Sequence, residues 1–173
     1  MVRQWIFDII LNQRFAVLLI GVASTIIIAT ALAFEHIGGY VPCDLCLLQR
    51  KPYYIGAPIA MILGFFILIG NIPPKIVKQL LFAFGILFVI SFCLGMYHSG
   101  VEWNFWAGPS GCSGTGVDSS QDALNNLLGA LETTRVVPCD EANWRFLGLS
   151  FAGYNALISI ILAAYSFICL RRA

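Results

Sequence analysis

Charge is scarce in this 173-residue chain: 11% of its residues are charged, against about 25% in an ordinary soluble domain. Ten Lys+Arg stand against nine Asp+Glu, a net +1, so the basic surplus that marks a nucleic-acid binder is missing. The low hydrophobicity and high net charge of a disordered chain are missing too, because 59% of the residues are hydrophobic and mean hydropathy is +0.83. There is no Gly-x-Gly-x-x-Gly fingerprint for a nucleotide cofactor. No repeat or low-complexity tract is visible, and histidine is confined to His36 and His98. The length suits one compact unit.

What the chain does have is long apolar runs. Phe15–Phe34, Pro52–Ile72, Gln79–Tyr97 and Phe146–Leu170 are free of charge, and each is near the roughly 20 residues that a bilayer-crossing helix needs. In lipid a span must satisfy its own backbone hydrogen bonds, so the four are predicted to be helices. Arg3, Arg14 and the later Ala31-Leu32-Ala33 resemble a secretion signal, but the apolar run exceeds the roughly 7–15 residues of a signal core, so a retained helix is expected. Arg3, Arg14, Lys75, Lys78, Arg171 and Arg172 fall on one side with Asp8 for company. The other side carries Arg50, Lys51, Arg135 and Arg145 among Glu35, Asp44, Glu102, Asp118, Asp122, Glu132, Asp140 and Glu141. By the positive-inside rule both termini are cytoplasmic. The expected architecture is an all-α membrane protein, a single four-transmembrane-helix bundle over residues 1–173, with outer loops at about 35–51 and 98–145. In a bacterial inner membrane those loops are periplasmic.

This topology sorts the cysteines. Cys43 and Cys46 lie in the first outer loop, and Cys112 and Cys139 in the second. Four thus face the compartment where disulfides persist. Cys93 and Cys169 fall inside spans and read as small buried hydrophobes. The first loop contains Pro42-Cys43-Asp44-Leu45-Cys46-Leu47-Leu48-Gln49-Arg50. A Cys-x-x-Cys pair closes a tight ring whose surroundings set thiol pKa and potential. Placed where the chain turns into the second helix, a Cys46 thiolate is expected to gain from the helix N-terminus. Arg50 falls one helical turn later, on the same face if the segment is helical. Pro52 argues for a break between Arg50 and the span. The blander alternatives are an inert disulfide, a zinc knuckle, and an interfacial anchor role for Arg50. Zinc sites usually draw their ligands from two close pairs, whereas 26 residues separate Cys112 from Cys139, so no metal is expected.

The second loop opens with Trp103-Asn104-Phe105-Trp106, suited to the membrane interface. It continues into Gly108–Gly116, a glycine-rich tether with Cys112 at its centre that leaves this thiol reachable. Leu124, Leu127, Leu128 and Leu131 then mark one apolar face behind a Ser119-x-x-Asp122 cap, predicting a short helix on the membrane surface. An exposed cysteine on a tether, with a second redox pair at the bilayer surface, points to electron transfer by disulfide exchange. A disulfide drained in this way needs another oxidant. Two histidines at outer helix ends are poor evidence for haem, and a lipid-soluble quinone needs no nucleotide motif.

These residues resemble the disulfide bond formation protein B (DsbB) family of bacterial inner-membrane thiol oxidases. The resemblance rests on Pro42-Cys43-x-x-Cys46-x-x-Gln49-Arg50, on Cys139…Trp144-x-Phe146-Leu147-Gly148, and on one cysteine pair per outer loop. It implies a protein-dithiol:quinone oxidoreductase that reoxidises a periplasmic DsbA-type oxidase and reduces ubiquinone or menaquinone. On this likeness Cys112 is attacked by the partner, and Cys139 exchanges with the first pair through Cys43. Cys46 contacts the quinone with Arg50 beside the ring, and His98 lies near the quinone pocket. The glycine- and serine-rich surroundings of Cys112 depart from the family pattern and leave the partner open. The alternatives are a four-helix membrane protein merely stapled by disulfides, and a relative serving a dedicated partner.

The charge asymmetry generates a direct test. Reporter fusions after Lys78 and after Arg172 are expected to be cytoplasmic, and fusions within Gly108–Gly116 periplasmic. A periplasmic signal from the Lys75–Lys78 loop overturns the orientation.

Overall fold

The structure, a computed structural model, describes residues 11–70, 72–109, 139–142 and 144–172. Cys112 and the surface helix expected from Leu124–Leu131 lie outside these residues. Four helices dominate: α1 (Gln13–His36), α2 (Asp44–Ile69), α3 (Pro74–Glu102) and α4 (Phe151–Arg171), with a two-residue strand pair, β1 (Arg145–Phe146) and β2 (Leu149–Ser150), just before α4. All four helices are long and apolar enough to cross a membrane.

Each helix begins where the sequence supplies a start signal. The Asn12 side chain caps α1 by accepting the Arg14 N–H at 3.0 Å. Pro74 opens α3 at a first-turn position, where its missing N–H costs nothing. Ser150 caps α4 by accepting the Gly153 N–H at 3.2 Å. The start of α4 differs from the expected Phe146. Leu147 and Gly148 adopt φ of 49° and 83°, the left-handed pair that closes a two-residue hairpin. Phe146 therefore pairs with Leu149 and Arg145 with Ser150, and the helix waits for the Ser150 cap.

The second helix differs more. It starts at Asp44 and runs unbroken through Pro52 and Pro58, where the sequence predicted a loop to residue 51 and a break before the span. A proline forfeits one backbone hydrogen bond, and that loss is tolerated where neighbouring helices hold the segment. Here Gln49 and Arg50 bind side chains of the other three helices, so the turn preceding Pro52 is tied down independently of its backbone.

Packing is most intimate between α1 and α2 and between α3 and α4. Small residues permit it: a Cβ on Gly21 would lie 2.8 Å from the Met61 backbone nitrogen, and one on Gly95 would lie 2.9 Å from that of Ala156. Such close approach drives helix association in lipid, where burying apolar surface brings no gain. Val17, Ile20, Tyr53, Ala60, Ile67, Leu81, Phe84 and Phe88 fill the centre, while Ile26, Ile62, Phe65 and Ile161 point outward. Ser24, Ser91, Ser159 and Ser166 are fully buried. Polar groups inside and large apolar ones outside suit a lipid solvent. The Gln13 side chain donates to the Cys169 carbonyl at 3.0 Å, which places the start of α1 and the end of α4 at the same end of the bundle.

The Gly21 contact is with backbone, which cannot step aside. Gly21→Val is expected to destabilise the bundle by about 1–3 kcal/mol, as overpacking does, whereas Ile62→Ala on the outward face stays within about 0.5 kcal/mol. Unfolding in detergent checks this, and the reverse order would show that the helix faces are misassigned.

Candidate active site

The site grows from the first turn of α2. Cys43 is the N-cap residue, in extended conformation, and its sulfur accepts the Cys46 N–H at 3.3 Å. One turn then brings the two sulfurs within 3.0 Å, and both are free thiols. A disulfide would hold them about 2.05 Å apart, so the pair is a reduced dithiol. Cys43 is buried and Cys46 half-buried. The expected helix-end thiolate thus moves by one cysteine: because the helix starts at Asp44, the N-terminal position belongs to Cys43. The hydrogen bond shared with Cys46 and the nearby His98 imidazole overcome the penalty of burial and hold the Cys43 thiol down to about 4, against 9.0 ordinarily.

Cys139 returns to the same place. It is 1% exposed and packs in one small cluster with Cys43, Leu45 and Val101, flanked by Cys46 and Leu48. Cys139 is itself disulfide-bonded. A cysteine whose thiol pKa is lowered therefore packs in the same cluster as a disulfide sulfur, the pairing that thiol–disulfide exchange requires.

Behind the sulfurs lies a buried polar network. His98, on α3 and 2% exposed, places Nε2 3.6 Å from Cys43 Sγ and 3.7 Å from Glu102 Oε1. Its Nδ1 lies 2.6 Å from the Gln49 amide nitrogen. Asn155 Nδ2 donates to Gln49 Oε1 at 2.7 Å, and the Tyr53 hydroxyl donates to Asn155 Oδ1 at 2.8 Å. Tyr53 also meets Ser159, whose hydroxyl donates to Ser91 at 2.9 Å. The other carboxylate oxygen of Glu102 accepts from the Ser150 hydroxyl. Turning the Gln49 and Asn155 amides over reverses every donor in the chain and leaves each group satisfied, so the network accommodates either neutral tautomer of His98.

Cys43, Cys46 and His98 are thus brought together, whereas Arg50 is directed elsewhere. Its guanidinium forms an ion pair with Glu35 of α1 and reaches the Ala31 carbonyl at 3.5 Å. Glu102 and Asn155 are the participants that sequence reasoning missed, and Gln49 entered it only as part of the cysteine motif. For Asn155 the signal was present: a polar side chain inside an apolar span needs a partner there.

Comparison with known proteins fits this geometry. The family model described as "Disulfide bond formation protein DsbB" matches residues 13–169. The chain belongs to the DsbB family. Disulfide bond formation protein B of Marinobacter nauticus is 28% identical over 99% of this chain and 95% of its own length. An uncharacterised protein of Rickettsia prowazekii is 26% identical over 95% and 93%. No solved structure matches. As a DsbB-family chain with four spanning helices, it is a multi-pass membrane oxidoreductase of disulfide formation.

The thiolate assignment can be read by titration. In a variant retaining Cys43 and Cys46 alone of the six cysteines, ultraviolet absorbance of the reduced protein is expected to show one thiolate at pH 6. It should disappear as pH falls through about 4. Cys46→Ala removes the largest cause and is expected to return Cys43 toward the ordinary range near 8.5. A first thiolate that forms at pH 8 or above contradicts the assignment.

Proposed function

We propose that this protein reoxidises a periplasmic DsbA-type dithiol oxidase and passes the electrons to a membrane quinone, ubiquinone or menaquinone. The observation that carries the reading is the buried Cys43 sulfur, packed in one cluster with disulfide-bonded Cys139 and beside the Cys46 sulfur and the His98 imidazole. In this reading the protein sits in the bacterial inner membrane, with termini in the cytoplasm and both cysteine pairs at the periplasmic face. The partner's thiolate attacks Cys112 of a Cys112–Cys139 disulfide and forms a mixed disulfide. The partner's second thiol then releases its own disulfide, leaving Cys112 and Cys139 as thiols. A Cys43–Cys46 disulfide reoxidises them: Cys139 attacks Cys43 and Cys46 leaves as a thiolate, then Cys112 attacks Cys139, which re-forms the Cys112–Cys139 disulfide and releases Cys43. Two electrons and two protons have then reached the Cys43–Cys46 pair, and their removal regenerates its disulfide.

A quinone supplies a two-electron, two-proton acceptor. The residues present fit one. Half-buried Cys46 adjoins Leu47, 43% exposed, and Tyr54 lies one turn beyond Arg50 on the same helix at 47%, so an apolar ring has lipid-side access. Cys46 would hold it, and Arg50, whose guanidinium is engaged by Glu35 and the Ala31 carbonyl, would offer its remaining donors. His98, behind the sulfurs and hydrogen-bonded through Nδ1, is placed to take a proton from the dithiol. A bundle merely stapled by disulfides gives no reason for a reduced, buried Cys-x-x-Cys beside a histidine.

The decisive experiment measures quinone reduction by the purified protein with reduced DsbA-type oxidase as donor, and then each half separately. One hydrogen-bond donor directed at developing charge is worth about 10²–10³ in rate in other enzymes. Arg50→Ala is therefore expected to slow quinone reduction by that order, and Arg50→Lys by less. Dithiol exchange under quinone-free conditions is expected to be little changed. Equal slowing of both halves would make Arg50 a structural anchor, and absence of quinone reduction in the unmodified protein would overturn the function.

A further inference from the structure

The reduced site has a feature that electron transfer does not use. Cys43, Cys46 and His98 each offer a ligand atom, all within 4.8 Å of one another, and Glu102 presents a carboxylate oxygen to the same imidazole nitrogen. We propose that the reduced form of this protein binds one thiophilic divalent cation of the zinc class through Cys43, Cys46 and His98, with the fourth position open to water beside Glu102, and that oxidation of the cysteine pair expels it.

The distances carry the argument. Tetrahedral zinc with bonds of about 2.3 Å to sulfur and about 2.0–2.2 Å to nitrogen or oxygen sets the ligand-to-ligand edges. They come to about 3.6 Å for sulfur to nitrogen and about 3.8 Å for sulfur to sulfur. Cys43 Sγ lies 3.6 Å from His98 Nε2, and Glu102 Oε1, 3.7 Å from the same nitrogen, stands beside the fourth position. The sulfurs, 3.0 Å apart, need to open by less than about 1 Å, and half-buried Cys46 has room to turn. The ligand set is one close pair and an imidazole. Cys-x-x-Cys opens α2, and His98 on α3 replaces the remote cysteine pair that argued against zinc in the sequence.

The outer shell is also in place. A metal-bound imidazole normally donates its other N–H to a fixed acceptor. Binding at Nε2 puts the proton on Nδ1, facing Gln49. With the Gln49 and Asn155 amides turned over, Nδ1–H donates to the Gln49 carbonyl oxygen, Gln49 donates to Asn155, and Asn155 to Tyr53. Ser150 meanwhile holds the second Glu102 oxygen. No buried donor is orphaned. Binding releases the remaining thiol protons, and no electron moves. The gate is covalent: a Cys43–Cys46 disulfide bond ties up the electron pairs that the two thiolates would donate.

Binding itself rests on geometry alone, while its consequence, a stalled reduced enzyme, rests on the proposed function. The test loads the full-length protein with zinc ion after reduction by a phosphine and, in parallel, after full oxidation, with removal of free metal. Cobalt ion serves as the optical probe. One zinc per chain is expected in the reduced form and under about one tenth as much in the oxidised form, with cobalt giving a tetrahedral thiolate spectrum. His98→Ala is expected to weaken binding at least about tenfold, and Gln49→Leu about 10–100-fold, the usual cost of losing an outer-shell partner. If His98→Ala fails to fold, the Gln49→Leu affinity and the cobalt spectrum of the unmodified protein decide. Equal loading of both redox forms, an octahedral cobalt spectrum, or unchanged affinity in both variants overturns the proposal. Zinc is further expected to slow turnover of prereduced enzyme, reversibly by chelator. Redox-gated binding with undiminished turnover would leave the metal site standing and count against the assigned route through Cys43–Cys46.

Discussion

A helix entering a membrane must satisfy its first N–H groups before it meets lipid, and α2 does so with a sulfur. By accepting the Cys46 N–H, Cys43 fixes where the helix begins and places both thiols on one turn. A cap of the usual oxygen type is worth about 1 kcal/mol, but its positional consequence here is larger. With the helix starting at Asp44, Gln49 and Arg50 become helical residues with fixed directions. Arg50 then reaches Glu35 on α1, and Gln49 reaches His98 on α3 and Asn155 on α4. One turn of α2 is tied to all three other helices, and the reactive pair sits on the turn before it.

The same ties explain a division between the two sulfurs. Cys43 is buried, hydrogen-bonded to the backbone, near His98, and packed in the cluster that holds Cys139. Cys46 is half-buried and follows the helix surface. An exchange reaction needs one sulfur held near an internal disulfide and another free to turn toward an incoming acceptor, and the capping geometry separates these duties without any further device. Ser91 and Ser159 belong to the same design. In a low-dielectric interior an unpaired hydroxyl or amide is costly, so the chain Tyr53–Asn155–Gln49–His98 stabilises a particular helix arrangement while keeping the imidazole oriented.

Much of this was legible in the sequence. Four uncharged runs gave four helices, and the Cys-x-x-Cys with its following Gln49-Arg50 marked the site. Two features misled. Pro52 reads locally as a helix break, because its backbone penalty is intrinsic to the residue, whereas the side-chain ties that override it come from elements distant in sequence. Phe146 reads as the start of a span because it is apolar, while the positive φ of Leu147, an unusual residue for that conformation, leaves no compositional trace beyond the adjacent glycine. Glu102 was counted as a loop acid for orientation. Its place one turn after His98, at the buried end of α3, follows from a helix that runs five residues past its apolar stretch.

Arg50 shows how a stabilising contact and a reactive role can share one side chain. Partly buried between α1 and α2, the guanidinium would carry an uncompensated charge without Glu35, and removing one member of such a pair is more costly than the pair is worth. That reasoning alone makes it an anchor. Yet a guanidinium has five donors in a rigid fork, of which Glu35 and the Ala31 carbonyl engage Nη1 and Nη2. The ion pair fixes the plane of the group without exhausting it, and a donor held rigidly loses little entropy when it meets developing charge. Lysine in the same position has one ammonium centre, so engaging Glu35 draws it away from any second acceptor. If Arg50 serves the proposed quinone step, the physical requirement at residue 50 is directional multiplicity as much as positive charge, and the contacts with α1 fix the plane of the fork.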